Sequence, residues 1–343
     1  STLMAVGEEK GCTGREFLTA AIAAYDVVNK IGKAEGDGVH MRGFHPTATA
    51  GIFAATMGAA RLMGLSRGQA INAMGINISQ AAGSQQFVEF GGWNKPFHVG
   101  MAAHNAIYAL ALAKRGFIGA TSPLEGRFGY FFSYSAEGWD PAKITGLGTE
   151  FEMMFTSIKP YPCCRYNHAV IEAVVDLVRD HQLAPEDIVS IDIYINPTGH
   201  ELVGEPVHVK REPTSIVLGQ FSVYFAAAVA AVDGEFSWQS YSKLQDPTMR
   251  GLMSVTRSLP TQEMQPMACR VEMATGSGLK LTKDVPYPKG EPENPLSWDE
   301  AIAKFTGLTQ QTLGSEGAQK VVRSVRALDQ LGDIRSFTEI LRP

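Results

Sequence analysis

Apolar residues in the first part of the chain recur at helical spacing. Thr13 and Glu16 form a capping-box pattern that predicts a helix start, because each side chain can satisfy a backbone N–H group of the first turn. Glycines at 32, 36 and 38 predict the end of this helix. The apolar positions between these signals fall on one helix face: Leu18, Ala21, Ile22, Tyr25 and Val28.

Three more helices are predicted before residue 120. They cover about 46–63, 66–83 and 99–115, and Ser66 with Gln69 forms a second capping box. Ala, Gly and Ser occupy nearly every face of these segments, so the helices should be buried and closely packed. The pattern predicts an all-α domain.

The pattern changes near Phe155. Alternating apolar and polar residues predict a strand at 188–195, and turn signals at 276–278 separate two more predicted strands. Those strands cover about 268–273 and 279–285, and helices are predicted at about 168–181 and 214–232. These elements predict a smaller α+β unit.

The predicted fold class is mainly α, with a large all-helical domain and a smaller α+β domain. Helices return at about 298–305 and 317–331, so the helical domain is predicted to comprise residues 1–155 and 292–343. The α+β domain is predicted at 156–291. The chain opens inside a helical pattern, and we therefore expect an N-terminal part of the helical domain to precede Ser1.

Composition narrows the class of protein. The 343 residues are 45% hydrophobic and 19% charged, with a net charge of -5, which excludes disorder and a general attraction to nucleic acid or anionic membrane. No apolar run reaches the ~18 residues of a membrane span, and no signal peptide is recognisable. Four scattered cysteines lack the spacing of a disulfide scaffold or an iron–sulfur site, which favours a reducing, cytoplasmic location.

Two loop-to-helix junctions carry candidate chemistry. His45 precedes the predicted helix at Pro46, where it could hold or protonate a carboxylate; a capping or core histidine is the alternative. Lys95 and His98 follow two glycines near another predicted helix start, where a lysine suits a carboxylate as a point charge. A solvated surface lysine is the alternative there.

The densest basic cluster lies at the predicted domain boundary. Lys159, Arg165 and His168 fall within ten residues, in a segment stiffened by prolines, and small-ligand sites often form between domains. Adjacent cysteines at 163 and 164 have a poor spacing for a metal site. They are either small buried side chains or, beside a cation, reactive thiols.

Five segments of the sequence, in this order, resemble the MmgE/PrpD family of 2-methylcitrate dehydratases, cis-aconitate decarboxylases and iminodisuccinate epimerases. The segments are GFHPTATAG, GWNKPFHVGMAA, LEGRFGYF, KPYPCCRYNHA and KGEPENPLSWDEAIAKF. The resemblance implies a helical domain with an α+β lid, a site in the cleft between them, no metal or organic cofactor, and a homodimer. Its catalytic residues fall on His45, Lys95 and Lys159, and we assign substrate binding to His98, Arg165 and His168.

Two departures from the family pattern affect the interpretation. The family's Asp- and His-bearing stretch would lie upstream of Ser1, so part of the acid–base set is not in this sequence. The family's lid-helix tyrosine falls on Phe225, while Tyr224 lies one position early, and we assign Tyr224 no catalytic role.

The resulting hypothesis is proton transfer next to a substrate carboxylate. Lys95 and Lys159 would hold carboxylates and stabilise developing charge, and His45 would move the proton. We expect the three side chains to converge on one small polycarboxylate. Dehydration of a methylcitrate-like acid ranks first, then epimerisation or racemisation, then decarboxylation. A non-catalytic carboxylate-binding homologue and a metal-dependent hydrolase are the alternatives.

Overall fold

The computed structural model describes residues 1–135 and 138–342, which form two compact units. The first comprises Ser1–Phe87, Trp93–Met154 and Thr309–Pro343, and the second comprises Val88–Gly92 and Phe155–Leu308. The described chain is mainly helical with one small sheet, which confirms the predicted class. The predicted domain boundaries stay a prediction.

Helices build the first unit. Thr13 and Glu16 cap one another's backbone N–H groups as predicted, and so do Ser66 and Gln69. The α-helices are Thr2–Lys10, Gly14–Glu35, Gly38–Met41, Pro46–Thr49, Gly51–Leu62, Arg67–Asn77, Asn94–Lys114, Tyr130–Tyr134 and Arg335–Glu339, with 3-10 turns at Pro141–Ile144 and Leu328–Gln330. The helix predicted at 66–83 thus ends six residues early, and the one predicted at 99–115 begins five residues early.

Among the described residues, two apolar clusters lie in the core of the first unit. In one, the buried ring of Tyr130 packs edge-on against Phe53 and stacks on Tyr134. The other is almost entirely alanine, so its helices can approach closely: Val6, Ala59, Ala60, Ala70, Ala73, Ala109, Leu110 and Ala113. The small residues noted in the sequence therefore allow these helices to pack closely.

The sheet lies in the second unit. In the described residues its strands are β1 (Ile188–Ile195), β2 (Thr256–Pro260), β3 (Cys269–Thr275) and β4 (Lys280–Val285), in the order β2-β1-β3-β4. β1 pairs parallel with β2 and antiparallel with β3, which pairs antiparallel with β4. The sequence analysis missed β2, a short edge strand that ends in a proline.

Helices pack against this sheet and connect its strands. They are His168–His181, Pro197–Gly199, Val207–Arg211, Ile216–Gln220, Val223–Asp233 and Pro247–Val255, with a π turn at His200–Gly204 and 3-10 turns at Arg165–Asn167, Pro185–Asp187 and Gln239–Lys243. The helix predicted at 214–232 is interrupted because Ser222 caps a new helix, its hydroxyl accepting the Phe225 N–H.

Three elements lie at the limits of the two units. Two are short, the helix Phe87–Phe90 and the 3-10 turn Glu152–Phe155. The third, Trp298–Arg326, replaces two predicted helices and is kinked at Gly314, whose φ is 68°. Within residues 1–135 and 138–342, no helix combines the length and apolar character needed to cross a bilayer.

Candidate functional site

His45 is fixed by pairing between two chain segments of the first unit. Its N–H donates to the Gly83 carbonyl at 2.9 Å, and Gln85 N–H donates to the Gly43 carbonyl at 2.8 Å. Its own carbonyl accepts the first hydrogen bonds of the helix Pro46–Thr49. The backbone around His45 is therefore held from both sides, as a precisely oriented side chain requires.

Lys95 and His98 lie in the first turns of the helix Asn94–Lys114. Pro96 is tolerated there because a first-turn residue needs no intrahelical N–H bond. Residues three apart share a helix face, so the ammonium and the imidazole lie on the same side. His98 is only 8% exposed.

The imidazoles of His45 and His98 touch. Their Nδ1 atoms are 3.3 Å apart, so one ring donates its Nδ1–H to the other. Gly83 permits this approach, because a Cβ at its φ of +142° would lie 3.3 Å from Nδ1 of His98. A histidine pair with a shared hydrogen bond is a natural place for proton transfer.

Both imidazoles are held in the neutral form. Burial, followed by the positive charge of Lys95, lowers the pKa of His45 to about 4. Burial also lowers the pKa of His98. At neutral pH the pair is therefore uncharged and can accept a proton, and a bound anion would raise both pKa values.

A cavity of about 260 Å³ adjoins the pair within the first unit. His98 lines it together with Phe97 and Met101, and polar groups of Gln80 and Asn105 also face it. A largely apolar pocket with a few convergent polar groups is typical of a small-molecule site.

In the second unit, the segment that contains Lys159 is fixed by Gly290. Ile158 N–H donates to the Gly290 carbonyl at 2.8 Å. Gly290 has a φ of +93°, and a Cβ there would lie 2.0 Å from the Ile158 carbonyl oxygen. A side chain at 290 would thus displace the backbone next to Lys159.

Arg165 is paired with a carboxylate. Its guanidinium binds Glu291 through two nitrogens, with Nε 2.6 Å from Oε1. Glu291 is 6% exposed and also accepts from the Ser157 hydroxyl at 2.8 Å. Most of the Arg165 charge is thereby neutralised, and its predicted substrate contact stays a prediction.

His168 is buried beside Lys159. Burial, followed by the charge of Lys159, lowers the pKa of His168 to about 3. Its ring lies edge-on to Tyr161, and its Nε2 has no hydrogen-bond partner among the described residues. A buried polar atom of this kind can accept a ligand or a water.

Lys304 is a member of this cluster that the sequence analysis missed. Its ammonium donates to the backbone carbonyl of Lys159, whose own ammonium donates to the Cys163 carbonyl at 3.2 Å. Burial, followed by Lys159, lowers the pKa of Lys304. Within the described residues neither lysine is in an ion pair, so two positive charges lie together without a carboxylate.

Lys210 was also missed. It is 1% exposed, and its Nζ has no hydrogen-bond partner among residues 1–135 and 138–342. Burial lowers its pKa to about 8, and its ammonium lies 5.6 Å from the ring centroid of Phe221. The charged run at 210–212 is typical of a surface in sequence, and nothing in it indicated burial.

Tyr224 has a structural role. Its hydroxyl donates to the Gly204 carbonyl at 3.1 Å inside the second unit, and Arg211 lies over its ring. Cys163 and Cys164 are buried. Among the described residues no group of three His, Cys, Asp or Glu side chains could hold a metal ion.

The structure thus forms two groups of candidate side chains. We name His45, Lys95 and His98 the imidazole cluster, and Lys159, His168 and Lys304 the lysine cluster. The first lies in the first unit and the second in the second unit. The convergence of both on one substrate stays a prediction.

Comparisons with known proteins add an independent finding. Profiles of the MmgE/PrpD N-terminal and C-terminal domains match residues 1–142 and 161–330. A cis-aconitate decarboxylase of Aspergillus terreus is 26% identical to the chain, over 97% of the chain and 71% of the relative. The cis-aconitate decarboxylase-like protein oryM of Aspergillus oryzae is 23% identical, over 96% and 71%. A cis-aconitate decarboxylase of Homo sapiens is 24% identical, over 87% and 63%.

Proposed function

Because the chain belongs to the MmgE/PrpD family, we propose that it is a lyase that moves a proton at a carbon next to a carboxylate of a small di- or tricarboxylate. The observation that carries the proposal is the 3.3 Å contact between His45 and His98 at the wall of a cavity. Two neutral imidazoles in contact, His98 buried and His45 half-buried, are suited to exchange a proton with a bound substrate.

The relatives favour decarboxylation over dehydration, which we ranked first from the sequence. The three relatives named above are called cis-aconitate decarboxylases or cis-aconitate decarboxylase-like. In such a reaction the bond to a carboxylate carbon breaks, carbon dioxide leaves, and the electron pair remains on the carbon skeleton. One proton then bonds to the skeleton, so the enzyme must supply an acid at that point.

His45 is the proposed acid. Its imidazole is neutral in the free protein, because burial and Lys95 disfavour the charged form. A bound polycarboxylate brings several negative charges and raises the pKa of the imidazole. The histidine then takes up a proton and can give it to carbon. Binding and protonation are thus coupled through charge.

The lysines are proposed to bind carboxylates. Lys95 does so in the imidazole cluster, and Lys159 does so in the lysine cluster, where Lys304 adds a second ammonium. These fixed charges also stabilise the negative charge that develops on the substrate. We propose supporting contacts to substrate from His98, Arg165 and His168.

A panel of small hydroxy- and unsaturated polycarboxylates tests the proposal. Proton NMR in deuterium oxide would follow each compound, and a gas measurement would follow carbon dioxide. We expect an aconitate-like acid to lose carbon dioxide and to gain one deuterium on carbon. Loss of water without carbon dioxide would assign a dehydratase, and deuterium exchange alone would assign an epimerase. Binding without any turnover would assign a non-catalytic carboxylate-binding protein.

Matched lysine variants test the binding role. Lys95→Met and Lys159→Met should each reduce turnover at limiting substrate by at least about ten-fold, since each removes a charged hydrogen bond. Lys114→Met and Lys280→Met, at exposed positions of the first and second unit, should match the wild type. Activity of the first pair equal to that of the controls would remove the binding role.

We propose a homodimer as the solution state, on the strength of the family resemblance. Light scattering after size-exclusion chromatography would give the mass directly. A monomer mass at micromolar concentration would overturn this part of the proposal.

A further inference from the structure

A buried series of hydrogen-bonded hydroxyl and carboxyl groups leads to the backbone carbonyl of His45. The Tyr130 hydroxyl is 2.7 Å from Oε2 of Glu35 and 2.8 Å from the hydroxyl of Thr49. The Thr49 hydroxyl is in turn 3.5 Å from the backbone carbonyl of His45. Glu35 is 4% exposed, and Tyr130 and Thr49 are fully buried. These hydrogen bonds therefore link the Glu35 carboxyl group to the backbone carbonyl of His45, the candidate proton donor, without contact with solvent.

The elements that present these groups are rigid. Glu35 ends the long helix Gly14–Glu35, and Tyr130 begins the helix Tyr130–Tyr134. The ring of Tyr130 is held by Phe53 and by Tyr134, whose hydroxyl donates to a backbone carbonyl. Packing therefore sets the distances between the hydrogen-bonded groups. The positions of the hydroxyl and carboxyl protons can still vary.

The number of hydroxyl and carboxyl protons allows two arrangements of the hydrogen bonds among Glu35, Tyr130 and Thr49. A hydroxyl group has one hydrogen to donate. When Glu35 is ionised, Tyr130 must donate to it and Thr49 must donate to Tyr130, so the Thr49 hydroxyl has no hydrogen left for His45. When Glu35 is protonated, it can donate to Tyr130, Tyr130 to Thr49, and Thr49 to the His45 carbonyl.

We propose that Glu35, Tyr130 and Thr49 are positioning residues that form a directional hydrogen-bond relay, which adds a side-chain hydrogen bond to the carbonyl of His45 only in one of its two directions. With the protonated carboxyl group, the Thr49 hydroxyl would donate to the carbonyl of His45, which also accepts the N–H groups of Ala48 at 2.9 Å and Thr49 at 3.2 Å. With the ionised carboxylate, the carbonyl would keep these two backbone hydrogen bonds and lose the one from the hydroxyl. The catalytic consequence rests on the proposed function, whereas the relay itself does not.

The environment of Glu35 supports a change of direction near neutral pH. Burial raises the pKa of Glu35 to about 7, against the opposing effect of the Tyr130 hydrogen bond. Its second oxygen, Oε1, has no hydrogen-bond partner among the described residues, so nothing there holds the charged form. Among the described residues, Tyr134 is a further titratable group that acts electrostatically on the relay, through Tyr130.

The far end of the relay has its own titratable neighbours. Lys95, His98 and His40 act electrostatically on the His45 imidazole. Because the pKa of His45 is about 4, a transition near pH 7 at its carbonyl is separable from its own titration.

An NMR titration tests the relay without any substrate. In the wild-type protein the carbonyl carbon of His45 and the amide of Thr49 should change chemical shift with a midpoint near pH 7. Glu35→Gln should abolish that transition and hold the low-pH shift, because its amide group can donate to Tyr130 at every pH. Thr49→Val should also abolish it, and Thr49→Ser should retain it. The same midpoint in wild type, Glu35→Gln and Thr49→Val would overturn the proposal.

Activity measurements then test the consequence for catalysis. We expect wild-type kcat to fall a few-fold as the pH rises through about 7, with KM nearly constant. In Glu35→Gln, kcat should not show this decrease with pH. In Thr49→Val, kcat should stay at the lower, high-pH value throughout. If the NMR transition is present but every variant keeps the wild-type pH profile, the role of the relay in catalysis is overturned. If no polycarboxylate reacts, the proposed function fails and the NMR titration alone decides the relay.

Discussion

The imidazole cluster and the lysine cluster handle charge in opposite ways. His45 and His98 are hydrogen-bonded to each other, and burial keeps both neutral. Lys159 and Lys304 lie together as cations, and no ion pair of the described residues includes either one. On the proposed function, the imidazole cluster would change its charge when an anion binds, and the lysine cluster would offer fixed positive charge. We therefore expect variants of the two clusters to differ in which kinetic constant they change most.

The largest effect is expected at His45. His45→Gln removes the proposed acid but keeps a polar side chain, and kcat should fall by about 10²–10⁴-fold, the usual contribution of a general acid. KM should change little, because the lysines proposed to bind carboxylates remain. Steady-state kinetics would measure both, with the exposed His104→Gln as the control. An equal loss of kcat in His104→Gln, or a change in KM alone in His45→Gln, would contradict the proposed role of His45 as the acid.

The next effect concerns the pH dependence of stability in the first unit. Because burial raises the pKa of Glu35 from 4.5 to about 7, its stabilising contribution is complete below about pH 4.5 and is lost as the pH rises through about 7. The free energy of unfolding should fall over that window by about 3 kcal/mol at most. Urea unfolding of Glu35→Gln should lack this decrease. An identical slope in wild type and variant would argue against the buried carboxyl group.

A smaller effect is expected from the lysine cluster. Lys159→Met and Lys304→Met should raise KM roughly ten-fold each, since each removes one charged hydrogen bond to a carboxylate, and should lower kcat only several-fold, through the lost stabilisation of developing charge. This is the reverse of the His45→Gln pattern. Lys280→Met, exposed at the start of β4, is the control. Loss of kcat without change in KM in either lysine variant would show that the clusters are not separable.

The last comparison is between a buried and an exposed ion pair in the second unit. Glu291→Gln weakens the buried pair with Arg165 and should lower the free energy of unfolding by about 2 kcal/mol. Asp284→Asn weakens a similar two-nitrogen pair with Arg270 at the surface, and the loss should be about 0.5 kcal/mol. Chemical denaturation gives both values. Equal losses would mean that burial does not set the strength of the Arg165 pair.

Local signals in the sequence predicted much of the fold. The capping boxes at Thr13 and Ser66, the strand at 188–195 and the helix at 168–181 depend on neighbouring residues, and the structure confirms each. The edge strand β2 was missed because five residues that include a proline carry little alternation. Interrupted helices were missed where one side chain, such as Ser222, creates a cap inside an apolar run.

The contacts of the candidate sites could not be predicted from local pattern. His45 and His98 are 53 residues apart, and Arg165 and Glu291 are 126 apart, so tertiary packing alone brings them together. Lys304 looks like an ordinary helix-surface lysine until its bond to the Lys159 carbonyl is known. The motifs nevertheless pointed to the segments in which these residues lie.

Deuterium incorporation with cis-aconitate tests the central claim most directly. The wild-type protein and His45→Gln would be incubated with the acid in deuterium oxide, and the products would be followed by proton NMR. We expect one deuterium on carbon in the wild-type product and almost no product from the variant in the same time. Product formed by His45→Gln at the wild-type rate, with deuterium on the same carbon, would contradict it.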